Sequence, residues 1–154
     1  MPIRKAKVED IKTVHRLIND FAKKGEMIPR SLNDLYENIR DFYVFEEDSD
    51  IKGVCALHVL WEDLAEIRSL AVKKEAQRLG IGGLLVKTCL KEARNLGIDR
   101  VFALTYHPDF FKRFGFVEID KTKLPQKIWG ECLRCPKFPE CDETAVIREL
   151  KHKN

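Results

Sequence analysis

The stretch of residues 65–91, AEIRSLAVKKEAQRLGIGGLLVKTCLK, decides the fold of this chain. Its beginning, residues 65–72, predicts a buried strand, because apolar residues recur there among residues that are common in strands. After a short charged connector comes QRLGIG at residues 77–82, and the apolar residues beyond it recur at helical spacing. A strand, a glycine-rich turn and a helix therefore follow one another.

A glycine-rich turn in this position is a common way to bind phosphate. Gly80 and Gly82 lack a Cβ atom, so the backbone can adopt unusual dihedral angles and lie close to an anion. The free N–H groups of the first helical turn point at that anion, and the helix dipole favours its charge. Two other phosphate loops are excluded, since G-x-x-x-x-G-K-[ST] is absent and the glycines are spaced wrongly for G-x-G-x-x-G.

Length and charge narrow the class of protein. A chain of 154 residues suits one domain, which we expect over residues 1–154 with a cysteine-containing C-terminal tail at 125–154. A net charge of +3 is too small to predict a nucleic-acid partner. No apolar run reaches transmembrane length, and the N-terminal sequence lacks the apolar core of a signal peptide. We therefore expect a cytoplasmic protein with no membrane partner.

The remaining pattern predicts a mixed α/β chain in the order βααβββαβαβ. Ser31 is well placed to cap the second helix. Outside the central stretch, we expect strands over residues 3–6, 42–46, 51–61, 100–106 and 116–119, and helices over residues 8–24, 32–39 and 109–114.

Two motifs in this order resemble the GNAT superfamily of acetyltransferases. One is Q-x-x-G-x-G at residues 77–82, and the other is DFFKRFGF at residues 109–116, a helix that ends in Gly-Phe. The resemblance implies a mixed, mostly antiparallel, twisted sheet with helices on both faces, and acetyl-CoA as co-substrate. Members of this superfamily often dimerise, so a homodimer is the default expectation.

A narrower resemblance covers almost the whole chain. The segments KGEMIPRSL, AEIRSLAV, VFALTY and LPQKIW are similar to the short, kinase-free N-acetylglutamate synthases, which begin arginine biosynthesis. This resemblance implies L-glutamate as the acceptor and direct acetyl transfer, in which a neutral amine attacks the thioester without an acyl-enzyme.

The resemblance assigns the cofactor to the central stretch. Backbone groups of the strand end would pair with the pantetheine arm, the N–H groups of the turn would bind the pyrophosphate, and an aromatic residue of the last helix would complete the site. The expected cofactor-binding residues are Leu70, Ala71, Val72, Gln77, Arg78, Leu79, Gly80, Ile81, Gly82 and Phe111.

The resemblance gives Glu66 the role of general base, acting directly or through water. A partly desolvated carboxylate has a raised pKa and is suited to removing a proton from an ammonium group. A structural alternative is an ion pair with Arg68, because the two residues lie two positions apart and so on one strand face.

The general acid has more than one candidate. Many members of the superfamily carry a tyrosine where this chain has Phe111, and phenylalanine cannot donate a proton. Thr105 matches a hydroxyl residue proposed as donor in the synthases, and Tyr106 is a local substitute. The coenzyme A thiolate can also leave unprotonated, because its pKa resembles that of a free thiol.

Glutamate has two carboxylates, so its site needs fixed cations, and the arginine fork matches a carboxylate in a bidentate manner. The resemblance places Arg30 in the loop that covers the acceptor. His107 stands where some synthases carry another arginine, a substitution that alters part of the carboxylate clamp. The expected substrate-binding residues are Arg30, Arg68, Ser69, His107 and Lys127.

The five cysteines fall into two groups. Cys55 and Cys89 lie within apolar patterns and are expected in the core. Cys132, Cys135 and Cys141 invite a zinc interpretation, but a single C-x-x-C pair lacks the second pair of a full zinc site. We expect reduced thiols there and no metal in catalysis.

Three other functions are consistent with parts of this pattern. An acetyltransferase for another amino acid, a polyamine or a protein N-terminus would share the fold, and a polyamine enzyme would use acidic residues around the acceptor. A non-catalytic acyl-CoA sensor would keep the glycine turn but lack Glu66, which is present. A small metal-dependent interaction module would depend on the tail cysteines.

Overall fold

The computed structural model describes residues 2–124 and 143–150, which form one sheet with helices on both faces. None of the helices in these residues has the length and hydrophobicity that a membrane span requires. The elements are β1 (Ile3–Lys5), α1 (Ile11–Lys23), α2 (Leu32–Glu37), β2 (Phe42–Glu47), β3 (Asp50–Trp61), β4 (Leu64–Val72), α3 (Ile81–Leu96), β5 (Arg100–Thr105), α4 (Pro108–Lys112), β6 (Val117–Ile119) and β7 (Thr144–Glu149).

The sheet has seven strands in the order β1-β2-β3-β4-β5-β7-β6, and only β4 and β5 are parallel neighbours. Their pairing runs from Leu64 opposite Arg100 to Glu66 opposite Phe102. Beyond Glu66, β4 continues to Val72 and β5 to Thr105 without further pairs between them. The two strands therefore separate and open a gap in the middle of the sheet. The mixed, mostly antiparallel sheet predicted above is confirmed.

β7 corrects the predicted element order, which ended at residue 119 and placed no strand in the tail. This strand lies between β5 and β6 and pairs with both, for example Ile147 with Phe102 and with Val117. A run of six residues in which the apolar ones, Ala145, Val146 and Ile147, are consecutive shows no strand alternation in the sequence. Its position depends on pairing with distant strands, which a local pattern does not show.

Two apolar cores cover the two faces of the sheet, because side chains alternate along each strand. α3 packs on one face, where Ile67 of β4 and Leu85 of α3 are buried. α1 and α2 pack on the other, where Val54 of β3 and Leu35 of α2 are buried. The predicted cap is present, since the Ser31 Oγ accepts a hydrogen bond of 3.0 Å from the backbone N–H of α2.

Cys55 and Cys89 lie in the core under α3, as predicted. Both are fully buried, and their Sγ atoms are 3.7 Å apart. The hydrogen bond with Cys89 and burial away from water together raise the pKa of the Cys55 thiol well above its ordinary value. Both residues are therefore small apolar fillers rather than reactive thiols.

Candidate active site

The gap between β4 and β5 exposes one backbone edge of β4. On its other edge this part of β4 pairs with β3, where Ala71 lies opposite Val54 and Val72 opposite Gly53. Within the described residues, no strand pairs with the edge that faces β5 beyond Glu66. An unpaired edge offers N–H and C=O groups to an extended ligand, in the way that a sheet accepts an added strand.

The glycine-rich turn begins where β4 ends. The Gln77 side chain donates a hydrogen bond of 3.0 Å to the Val72 carbonyl and so fixes the turn to the strand. Arg78 and Gly80 both have left-handed backbones, with φ of 71° and 82°. Gly80 is the N-cap of α3, and a Cβ atom there would meet no atom within 4 Å. The space around Gly80 at the start of this 16-residue helix is therefore open, as an anion site at a helix N-terminus requires.

α4 packs closely against the first turn of α3. A Cβ atom on Gly82 would lie 3.3 Å from the Phe110 ring, so glycine permits this approach. Phe111 is buried in the core beneath α3 and meets Phe116 edge-on, with ring centroids 5.3 Å apart. Phe110 thus borders the turn, which the sequence interpretation did not anticipate. The assignment of Phe111 to the cofactor stays a prediction.

Charged side chains gather on the other face of β4, under α2. Glu66 is 8% exposed, and its Oε1 lies 3.6 Å from the Arg68 Nε. This is an ion pair rather than a hydrogen bond. Arg68 and Arg30 line one small, open pocket. The pocket residues are Arg30, Asp34, Asn38, Asp41, Phe42, Ala56 and Arg68.

Arg30 reaches this pocket from the loop before α2, as predicted. Its Nη1 lies 3.2 Å from the Asp34 Oδ2, and its carbonyl accepts a hydrogen bond of 3.0 Å from the Asn19 side chain on α1. The loop is therefore held against α1. Ser69 has a left-handed backbone, with φ of 57°, at a bulge where two residues of β4 face one residue of β3.

The end of β5 holds the candidates for the general acid. The Thr105 Oγ1 accepts a hydrogen bond of 2.8 Å from the backbone N–H of His107, which leaves its own proton available for donation. Thr105 is buried, Tyr106 is half-buried and His107 is exposed. All three lie beyond the last β4–β5 pair, beside the gap.

Other candidates lie outside the described residues, namely Lys127, Cys132, Cys135 and Cys141. Within residues 2–124 and 143–150, no group of three or more His, Cys, Asp or Glu side chains is arranged to hold a metal ion.

A second pair of charged groups near Glu66 was missed at the sequence level. The Nδ1 of His58 on β3 lies 2.6 Å from the Asp41 Oδ2, and His58 is the register partner of Glu66. A bulge between Val59 and Trp61 creates this register. Without that extra residue, Val59 would lie opposite Glu66, so no signal in the local sequence could have placed His58 there.

The comparison with known families agrees with this geometry. A sequence profile of the acetyltransferase (GNAT) family matches residues 11–116, which include the gap, the glycine turn and α4. The chain belongs to the GNAT acetyltransferase family.

Relatives of this GNAT chain include amino-acid acetyltransferases. An uncharacterised N-acetyltransferase of Chlorobaculum tepidum is 41% identical over 148 residues, 96% of both chains. An amino-acid acetyltransferase of Mycobacterium tuberculosis is 37% identical over 86% of this chain and 77% of its own length. The structure of N-acetylglutamate synthase from Neisseria gonorrhoeae, complexed with coenzyme A and N-acetyl-glutamate, is similar with a TM-score of 0.90 and 29% identity. It matches 97% of this chain but 35% of the Neisseria chain.

Proposed function

We propose that this protein transfers the acetyl group of acetyl-CoA to the α-amino group of L-glutamate, as an N-acetylglutamate synthase does at the start of arginine biosynthesis. The observation that carries the proposal is the pocket in which Arg30 and Arg68 lie together beside Glu66. Two guanidinium groups suit an acceptor with two carboxylates. The relatives named amino-acid acetyltransferase support the same class of acceptor.

The described residues fit acetyl-CoA on the α3 side of the gap. The unpaired edge of β4 at Leu70–Val72 would hold the pantetheine arm by backbone hydrogen bonds. The N–H groups from Gln77 to Gly82 would bind the pyrophosphate, in the open space before α3. Bound in this way, acetyl-CoA supplies a thioester whose carbonyl carbon is the electrophile.

Glu66 would act as the general base. It removes one proton from the glutamate ammonium group, and the neutral nitrogen then forms a bond to the thioester carbon. The carbon–sulfur bond breaks, coenzyme A leaves as thiolate, and the remaining extra proton on nitrogen is released. Thr105 or Tyr106 would protonate the thiolate from the end of β5. Positioning of two substrates in one gap supplies much of the rate increase.

One observation favours a second class of acceptor. Asp34 and Asp41 line the same pocket as the two arginines, and carboxylates suit a cationic amine such as a polyamine. Asp34, however, already lies 3.2 Å from Arg30. The charge that the pocket presents to an acceptor therefore depends on whether an incoming carboxylate displaces Asp34 from Arg30.

A thiol-release assay with acetyl-CoA tests these assignments against a panel of amino acids and polyamines. We expect release with glutamate, and we expect Arg30→Ala to raise the glutamate KM by about 10- to 100-fold, the effect of one charged hydrogen bond to substrate. Arg16→Ala is the matched control, because Arg16 is exposed on α1 away from the pocket.

Two other results would change the conclusion. Release with polyamines but not glutamate would keep the acetyltransferase and overturn the acceptor. Tight acetyl-CoA binding without release by any acceptor would favour an acyl-CoA sensor.

A further inference from the structure

His58 and Asp41 form a second polar pair on the acceptor side of β4. The distance from Nδ1 to Oδ2 is 2.6 Å, and each side chain is about one quarter exposed, 25% and 26%. An ionised carboxylate can only accept a hydrogen bond, so a neutral ring in this geometry carries its proton on Nδ1 and its lone pair on Nε2. Within the part of the chain that the structure describes, the ring makes no other hydrogen bond. Nε2 is therefore available as a proton acceptor.

The register of the sheet brings this ring to Glu66. His58 on β3 lies directly opposite Glu66 on β4, and opposite residues of an antiparallel pair project from the same face with Cβ atoms about 4.5–5.5 Å apart. Two positions along β3, Ala56 lines the pocket of Arg30 and Arg68. His58 and the buried Glu66 are thus neighbours on one face of the sheet.

We propose that His58, oriented by Asp41, receives from Glu66 the proton that Glu66 removes from the acceptor amine. The N–H bond of the ammonium breaks and an O–H bond forms on Glu66. That proton then moves to the His58 Nε2, directly or through one water, and regenerates the Glu66 carboxylate. The imidazolium is stabilised by Asp41 and releases the proton to solvent from the exposed part of the ring. His58 acts through Glu66 and is therefore a positioning and proton-relay residue.

Among residues 2–124 and 143–150, the other charged groups on this face do not provide that route. Arg68 stays protonated and cannot accept a proton. Arg30 and Asp34 pair with each other at the opposite side of the pocket. Asp41 is engaged with Nδ1 and serves to fix the ring. Imidazole is also the side chain best suited to exchange protons near neutral pH.

His58→Asn tests the relay, because the amide nitrogen of asparagine can still donate to Asp41 while the variant has no basic nitrogen. We expect kcat/KM to fall by about 10- to 100-fold near pH 7, at or below the range for direct general acid–base catalysis. Added imidazole should restore at least part of the loss, and the pH profile of kcat/KM should differ from that of wild type. His15→Asn, on α1, is the matched control and should leave kcat/KM and its pH profile unchanged.

Two kinetic outcomes would overturn the relay. One is full activity of His58→Asn across the pH range. The other is a loss of kcat/KM that added imidazole does not restore, together with a pH profile that is the same as in wild type. That result would assign the His58–Asp41 pair a purely structural role between β3 and the turn before β2.

The proposal rests on amine acetylation, but not on glutamate as the acceptor, so the kinetics use whichever amine the panel identifies. NMR of ¹⁵N-labelled protein supplies an independent readout that needs no acceptor, with His58→Asn assigning the resonance. The relay requires a neutral His58 with its proton on Nδ1 and a titration midpoint that moves in Glu66→Gln. A proton on Nε2, or a midpoint that Glu66→Gln does not move, would overturn the relay even if the proposed function stands.

Discussion

The two faces of β4 offer different kinds of groups to the ligands that we propose. On the α3 face, the proposed site consists of backbone groups, a left-handed turn at Gly80 and the close contact of Gly82 with Phe110. On the opposite face, the proposed site consists of charged side chains, of which Glu66 and Arg68 are the central pair. One face suits an invariant cofactor with an extended arm and a pyrophosphate. The other suits an acceptor that differs between relatives of the same family.

The difference teaches where variation is tolerated. Backbone hydrogen bonds on the α3 face depend on the path of the chain, so most side-chain changes there leave them intact. On the acceptor face, each charge is balanced by a neighbour, as Arg30 is by Asp34. In the Glu66–Arg68 pair, whose side chains are about 10% exposed, removing one charge leaves the other buried and unbalanced, which is costly. Single substitutions should therefore have larger effects on the acceptor face than on the α3 face.

Glu66→Gln should give the largest effect in the molecule. The variant is isosteric, but it cannot take a proton from the acceptor ammonium. We expect kcat to fall by about 10²- to 10⁴-fold, the usual range for loss of a general base. The Kd for acetyl-CoA, measured by calorimetry, should stay within about twofold of wild type, because the proposed cofactor site lies on the other face. A fall in kcat of less than tenfold would favour the purely structural pair with Arg68.

Asp10→Asn should destabilise the attachment of α1, the helix that covers the acceptor face. Asp10 is 6% exposed and accepts hydrogen bonds of 2.7 and 3.0 Å from both Nη atoms of Arg4. The free energy of unfolding at pH 7 should fall by about 2 kcal/mol, as for a charge-assisted bond to a buried group. Asp20→Asn, at an exposed position of the same helix, should change it by less than about 0.5 kcal/mol.

The same pair predicts a pH dependence. The hydrogen bond with Arg4 holds the pKa of Asp10 below its ordinary value of 3.8. The folded state therefore binds this proton less readily than the unfolded state, and the stabilisation is complete above about pH 4. It is lost as the pH falls through the folded pKa. Urea unfolding of wild type and of Asp10→Asn should show that the difference between their free energies of unfolding shrinks below pH 4. A difference that stays constant down to pH 2 would contradict this role of Asp10.

Gly80→Ala measures the contribution of the turn on the α3 face. An alanine with φ near 82° costs about 1 kcal/mol relative to glycine. The turn is exposed, so we expect it to relax to an unstrained conformation in the free protein. Binding of acetyl-CoA would then force the alanine back into the left-handed conformation, and the strain energy would weaken binding. The affinity for acetyl-CoA should then fall by about fivefold. Gly25→Ala is the matched control, because Gly25 has φ of 73° with no atom within 4 Å of a Cβ position.

The control separates two origins of the effect. Gly25→Ala should lower the melting temperature and leave acetyl-CoA binding unchanged. Equal affinities for the two variants would show that the conformation at Gly80 is not part of the cofactor site.

The contrast between the two faces also explains what the sequence predicts. Gly80 and the start of α3 follow from local pattern, since a strand, a glycine turn and a helix are neighbours along the chain. The roles of Arg30 and Glu66 came from family resemblance. Nothing in the spacing of Arg30 and Arg68 along the chain reveals the pocket that these two residues line. The His58–Asp41 pair escaped both, since it depends on a bulge in β3 that shifts the register by one residue. β7 was missed for a similar reason, because distant pairing decides its place.

Ser69 should give the smallest effect and the sharpest test of how the bulge in β4 serves the acceptor face. Ser69→Ala removes the hydroxyl group and keeps the left-handed backbone, whereas Ser69→Gly removes the hydroxyl group and relieves the backbone. We expect the free energy of unfolding of Ser69→Gly to exceed that of Ser69→Ala by less than about 1 kcal/mol. The reason is that the Cβ atom of alanine makes the left-handed conformation unfavourable, and glycine has no Cβ atom.

Activity separates the hydroxyl group from the backbone at this position. If the Ser69 hydroxyl group contacts the acceptor, both variants should lose the same activity, about fivefold in kcat/KM, which matches one neutral hydrogen bond. Wild-type activity in Ser69→Ala would show that the residue sets the path of β4 and does not bind substrate. A loss confined to Ser69→Gly would instead mean that activity requires a rigid left-handed backbone at Ser69. The bulge there places the side chains of Arg68 and Leu70 on opposite faces of β4, so a more flexible residue would loosen the alignment of the two proposed sites.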